Sequence, residues 1–275
     1  MIDIQENSAF RQFEFEGWQK CADAYDSSFS PITLTVGETM LEVLGVGNGG
    51  RFLELACGPG HLSKRALDLG AEVTAVDFSP RMIDLAKERY TGITFQTGDA
   101  EALALEDSVF DYAAMNFGIL HLGNPDQAVA EMRRVVKPGG AIAFSTWSPP
   151  TDALGFKVIL DAVSAFGDRD VASPAAPSFF LFSDESAGQK VCEDAGLKFK
   201  GAQQVPLSWS FDSVEDFFNA FYDGTARTGG LLRAQDPKNL NAIKTEVSQE
   251  LLRNFRGTKS FLEVPMSAKV YWAER

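Results

Sequence analysis

Apolar and polar positions change their spacing several times along this chain, and the changes mark out its elements. Between Arg51 and Trp147, short apolar runs (Arg51–Ala56, Ala71–Asp77, Ile93–Gln96, Val109–Phe117 and the stretch reaching Phe144) alternate with segments of helical spacing. His61–Leu69 places Leu62, Ala66 and Leu69 on one face and is closed by Gly70. Ser79-Pro80 and Asn124-Pro125 each pair a capping side chain with a proline suited to the first helical position. The second of these precedes Ala128, Val129, Met132, Val135 and Val136 on one face. Strands alternating with helices predict a parallel sheet wound on both sides.

The flanks read differently. Phe10 to Phe29 predicts one or two helices that would lie over the core as a cover, and Val36 to Leu44 predicts a helix entering the first strand through a glycine-rich loop. After Trp147, Pro149, Pro150, Pro174 and Pro177 break the chain. Helices are then expected at Asp152–Phe166 and Ser183–Ala195, with a strand at Leu197–Trp209 broken or bent near Pro206. Asp212-Ser213 caps a helix carrying Val214, Phe217, Phe218, Phe221 and Tyr222, and a second helix spans Lys238–Phe255. Ser260–Ala273 is expected as a final strand, antiparallel beside the fifth. The organisation predicted is one domain over residues 1–275: a cover at 1–30, a core at 36–211 and 258–275, and a helical substrate lid at 212–257.

At 275 residues the chain can bury a sizeable core. Its formal net charge of −13 repels a phosphate backbone, and Lys and Arg are scattered, so nucleic acid is not an expected partner. No stretch of about 18 apolar residues and no basic leader before an apolar segment is seen, which predicts no membrane association and a cytoplasmic setting. Cys21, Cys57 and Cys192 are odd in number and far apart, which argues against a disulfide framework. With no C-x-x-C pair and two histidines, no metal is expected. Oligomeric state is left open, a homodimer included.

The chemistry concentrates at Arg51-Phe-Leu-Glu-Leu-Ala-Cys-Gly-Pro-Gly60, a strand running into a turn of small residues, followed by a helix and a second strand ending at Asp77. Gly58 and Gly60 let backbone approach a ligand, since a Cβ at either would stand in the way. Asp77 lies 19 positions after Gly58, near the spacing of the acid that holds a ribose in doubly wound folds. A nicotinamide fingerprint wants glycine where Ser63 and Ala56 stand, so that reading is the weaker one.

The turn resembles the first motif of the class I S-adenosylmethionine-dependent methyltransferases, an acid on the first strand before a small-x-Gly-x-Gly turn: here Glu54, Ala56, Gly58 and Gly60. Thr97-Gly98-Asp99-Ala100 resembles the adenine segment and Val109–Phe117 the fourth strand. Met132–Phe144 is similar to the helix, turn and fifth strand of the superfamily, and the nearest match is its type 11 group, close to quinone-biosynthesis C-methyltransferases. The resemblance covers about Phe10 to Trp147. It implies a Rossmann-like α/β fold, a doubly wound, mostly parallel seven-stranded sheet with an antiparallel last strand and an inserted helical lid. It also implies S-adenosyl-L-methionine as cofactor, with contacts from Tyr25, Glu54, Ala56, Gly58, Gly60, Asp77, Phe78, Met82, Gly98, Asp99, Ala100, Asn116 and Phe117. Asp77 would take both ribose hydroxyls, Asp99 the adenine amine and Ala100 a backbone contact.

Methyl transfer from a sulfonium is an in-line displacement, so orientation alone is worth up to roughly 7–11 kcal/mol and a base is optional. His121, just beyond the fourth strand, is the candidate base for an acceptor that must lose a proton. Trp18, Phe218 and Tyr222 are candidate contacts to a small-molecule substrate, with helix packing as their alternative role. The competing readings are a nicotinamide-dependent oxidoreductase and a non-catalytic nucleoside-binding protein.

Overall fold

The computed structural model describes residues 4–47, 49–169, 171, 174–257 and 260–275. Residues 1–3 of the expected cover, and 258–259 where the last core segment is expected to begin, lie outside the described residues. Seven strands form one sheet: β1 (Arg51–Leu55), β2 (Glu72–Asp77), β3 (Thr94–Thr97), β4 (Phe110–Met115), β5 (Val136–Trp147), β6 (Lys198–Phe211) and β7 (Leu262–Glu274). Their order is β3-β2-β1-β4-β5-β7-β6. The pairs from β3 to β5 are parallel, while β7 runs antiparallel to β5, from Ala141 opposite Glu274 to Trp147 opposite Ala268. This is the predicted mostly parallel sheet with an antiparallel closing strand.

The chain divides into two compact units. The first comprises Thr33–Trp147, Pro177–Val205 and Ala268–Arg275, and carries the helices α3 (His61–Asp68), α4 (Pro80–Arg89), α5 (Pro125–Val135) and α7 (Glu185–Asp194). The apolar faces of α5 and α7 supply Val129, Met132, Val135, Val191 and Cys192 to a core with Leu53, Leu55, Phe144 and Tyr271. The predicted caps form: Ser79 Oγ accepts the Met82 amide at 3.3 Å and Asn124 Oδ1 that of Gln127 at 3.2 Å.

The second unit comprises Met1–Ile32, Ser148–Ala176 and Pro206–Ser267. It holds α1 (Ile4–Ser28), α6 (Leu154–Phe166), α8 (Val214–Gly224), α9 (Arg227–Arg233) and α10 (Pro237–Asn254). α2 (Ser30–Leu44) spans the division in sequence and starts before the predicted Val36. The core of the second unit is aromatic. Phe221 packs at centroid distances of 5.2–5.7 Å from Phe29, Phe156, Trp209 and Phe217. α1 is a single helix where one or two were expected, and the short α9 is not marked by apolar spacing.

The turn expected before the fifth strand is absorbed into it. β5 starts at Val136, directly after α5, and Lys137–Gly140 bulge where the pairing shifts from Phe110–Val136 to Tyr112–Ala141. Gly139, at φ +81°, supplies the left-handed residue this needs. Nor does Pro206 end β6, which continues to Phe211.

Candidate functional site

Chain order reverses in the sheet between β1 and β4, which lie side by side, and the glycine turn leaves β1 at that point. In open α/β sheets such a reversal opens a crevice outside the carboxyl ends of the strands. The turn itself is left-handed at three residues: Ala56 (φ +51°), Gly58 (φ +53°) and Gly60 (φ +82°). It is held from below by the Cys57 amide on the Val76 carbonyl (3.1 Å) and closed by the Gly60 amide on the Cys57 carbonyl (3.0 Å).

The two glycines serve different ends. A Cβ on Gly58 would meet only Met82 Sδ, at 4.0 Å, so the space above it is open. A Cβ on Gly60 would come within 2.8 Å of the Phe95 ring. What obstructs a side chain at Gly60 is therefore the protein's own core.

Asp77 ties the crevice together. Its Oδ2 accepts the Gly58 amide and its Oδ1 the Ser79 amide, each at 2.8 Å. Its own carbonyl accepts the Gly98 amide at 2.9 Å, so the turn, the end of β2 and the segment after β3 meet at one residue. Burial pushes its carboxyl up to about 6 against the two amide bonds that lower it. Each carboxylate oxygen has two acceptor positions, so two remain for further donors.

Glu54 is buried deeper, at 2% exposure, and takes a hydrogen bond from Ser63 Oγ on α3. Burial, with Asp77 nearby, pushes it up to about 8, so it is largely protonated at neutral pH. Ser63 is fully buried in this role, at the position where a nicotinamide fingerprint needs glycine.

Of the remaining predicted positions in this unit, Asp99 Oδ1 accepts the Glu101 amide at 2.9 Å, Ala100 is buried, and Phe78 is half-buried beside Asp77. Met82 Sδ borders the open space over Gly58, 4.0 Å from where a Cβ there would stand. Asn116 and Phe117 follow β4; Asn116 Nδ2 donates to the Thr33 carbonyl at 3.0 Å, and the Phe117 ring lies 4.3 Å from that of Trp147. His121 stands edge-on to Phe179, 5.9 Å between centroids. In the helical unit, Trp18 Nε1 donates to Glu14 Oε2 (3.0 Å) and its ring meets Tyr25 edge-on at 5.2 Å, with Tyr25 stacked on Phe29. Phe218 is buried in α8, stacks on Tyr222, and carries Lys244 Nζ at 4.8 Å from its ring. The structure thus places most of the predicted residues from 54 to 117 at or just beyond the strand ends, with Met82 in α4, and gives each of the four lid and cover aromatics a packing partner.

Three contributors have no signal in the sequence. Ser63 and Ser145 look like ordinary polar residues, and Arg134 like one of a helical pair. Arg134 donates to the Leu103 carbonyl (3.0 Å) and the Leu105 carbonyl (2.7 Å), while Glu131 accepts the Leu103 amide (2.7 Å), fixing the loop that follows Ala100. Among the described residues no group of three or more His, Cys, Asp or Glu is arranged to hold a metal, and no helix is long and apolar enough to cross a membrane.

The chain is 34% identical over 153 residues to the demethylmenaquinone methyltransferase of Renibacterium salmoninarum, covering 52% of this chain and 65% of that one. It is 33% identical over 131 residues to the malonyl-[acyl-carrier protein] O-methyltransferase of Pectobacterium atrosepticum, covering 48% and 51%. The alignments thus span half to about two thirds of these relatives. The fold is similar to that of Haemonchus contortus phosphoethanolamine N-methyltransferase 2, solved with phosphomonomethylethanolamine and S-adenosylhomocysteine: TM-score 0.58, 17% identity, 97% of this chain and 60% of that one. Residues 53–144, which include the glycine turn, Asp77 and the end of β4, match the family described as "Methyltransferase domain".

Proposed function

We propose that this protein is an S-adenosylmethionine-dependent methyltransferase acting on a small molecule. The observation that carries the reading is the Asp77 carboxylate. It is pinned by the Gly58 and Ser79 amides, with one acceptor position left on each oxygen, as a pair of vicinal ribose hydroxyls requires. The open space over Gly58 fits a cofactor chain laid along the turn. The fold relative bound to S-adenosylhomocysteine and the methyltransferase names of the sequence relatives support the same cofactor.

When bound, that cofactor supplies a methyl group on an electrophilic sulfonium. The chain's own task is orientation. Asp77 holds the ribose, Gly98, Asp99 and Ala100 hold the adenine, and Ala56, Gly58 and Gly60 give the remainder a close backbone surface. Glu54 lines the base of the turn, Tyr25, Phe78 and Met82 complete the cofactor's apolar surroundings, and Asn116 and Phe117 stand at the reacting end. Where an acceptor must lose a proton, His121 takes it. Trp18, Phe218 and Tyr222 are assigned to the acceptor, whose class is then apolar or aromatic.

The acidic surface and three buried free thiols support a cytoplasmic setting without nucleic acid as substrate. The working unit is one chain or a homodimer, which light scattering separates. Calorimetric titration tests the central reading. Micromolar binding of S-adenosylhomocysteine and none of NAD is expected, and the reverse would end it. Methyl-labelled cofactor incubated with fractionated metabolites should leave label in one fraction; label in none leaves a binding protein without transfer.

A further inference from the structure

Two residues other than glycine hold left-handed backbone at the crevice, Ala56 at φ +51° and Phe117 at φ +55°. Such a conformation costs an ordinary residue roughly 1–2 kcal/mol, so the surroundings must impose it. They follow different strands, β1 and β4, and Gly118 joins them: a Cβ there would stand 2.6 Å from Ala56 Cβ and 2.6 Å from Met115 Cγ. The turn after β4 is therefore packed directly against the first residue of the glycine turn after β1.

What holds Phe117 comes from the next strand. Ser145, fully buried on β5, accepts the Phe117 amide on Oγ at 2.9 Å and donates to Asn116 Oδ1 at 2.7 Å. Asn116 Nδ2 in turn donates to the Thr33 carbonyl, at the start of this unit. The proton directions are fixed, because a carbonyl accepts only and therefore faces the amide nitrogen, leaving Oδ1 toward Ser145. The hydroxyl thus uses its one donor on Asn116 and accepts the amide of the strained residue, and no other residue can substitute for it without breaking one of the two bonds, threonine excepted.

We propose that Ser145 is a positioning residue for the glycine turn: by locking Phe117 left-handed it seats Gly118 against Ala56 and so sets the backbone on which the cofactor lies. The inference rests on the cofactor reading for its consequence but not for its mechanics.

Two measurements separate those levels. Hydrogen exchange reads the turn without any ligand. Ser145→Ala should speed exchange of the Cys57 and Gly60 amides about tenfold relative to amides of α7, as loss of a buried hydrogen bond of about 1.4 kcal/mol predicts, while Ser145→Thr stays near the parent. Calorimetry reads the consequence: Ser145→Ala weakens S-adenosylhomocysteine about tenfold and Ser145→Thr less than threefold. In a Phe117→Gly background, where left-handed backbone carries no penalty, adding Ser145→Ala should change turn exchange less than threefold. Uniformly faster exchange across the protein, or unchanged exchange at the turn, overturns the proposal. If the parent binds no S-adenosylhomocysteine, the cofactor reading falls while the exchange result still decides the role of Ser145.

Discussion

Asp77 in the first unit and Phe221 in the second fix their surroundings by different means. Around Asp77, side chains and carbonyls bind individual loop amides, so backbone is fixed atom by atom at the strand ends. Around Phe221, aromatic rings at edge-to-face and tilted angles fill the space between helices, and direction matters less than volume. A site built on donors and acceptors confines its sensitivity to a few atoms, whereas a core built on rings spreads it over many.

The sharpest way to break this contrast is Phe221→Ala. Removing a fully buried ring should cost about 3–5 kcal/mol of stability in urea titration, and a loss below about 1.5 would show that the rings are not a packed core. Next are the two turn glycines. Gly60→Ala meets the Phe95 ring as well as left-handed backbone and should cost about 2–4 kcal/mol of stability. Gly58→Ala meets the backbone penalty alone, about 1–2 kcal/mol, yet should weaken S-adenosylhomocysteine more than its stability loss implies, because its methyl enters the open space. Equal stability losses would show that the two positions do not differ in kind.

Asp77→Ala removes the acceptor from two amides and should weaken cofactor binding by at least about 1.5 kcal/mol by calorimetry. The smallest effect is reached by acid. With its carboxyl raised to about 6, Asp77 goes from mostly charged at pH 7 to mostly neutral at pH 5, and affinity should fall about tenfold, near 1.4 kcal/mol. For the free protein the sign is opposite. A carboxyl raised in the fold favours folding below its ordinary 3.8, and that contribution is lost as pH rises through about 6. Affinity that stays flat from pH 7 to 5 would mean the ribose is held by other groups.

The same contrast explains what the amino-acid order made legible. Strand, glycine turn, helix and acid follow one another within 30 residues, so the turn, Asp77 and the capped helices can be located from spacing. Ser145 acts on Phe117 from 28 residues away across a strand, and nothing in its neighbours marks it out. α9 is hidden for a related reason. Its Gly229 looks like a helix breaker, yet a Cβ there would stand 2.6 Å from the Tyr222 carbonyl, so packing demands glycine where propensity argues against a helix. The bulge that carries Lys137–Gly140 into β5 is equally a matter of pairing, since a Cβ on Gly140 would lie 2.6 Å from the Asp111 carbonyl of the neighbouring strand.

The three thiols offer a practical corollary. Cys21 lies in α1 of the helical unit, Cys57 within the glycine turn and Cys192 in α7, and burial pushes the first up to about 11, the last to about 12, and raises the turn thiol as well. Alkylating reagents attack the thiolate, so each sulfur reacts only when its surroundings open. Peptide-resolved labelling therefore times the breathing of the helical unit, the cofactor turn and the sheet-flanking helix separately in the unaltered protein, with no probe to install.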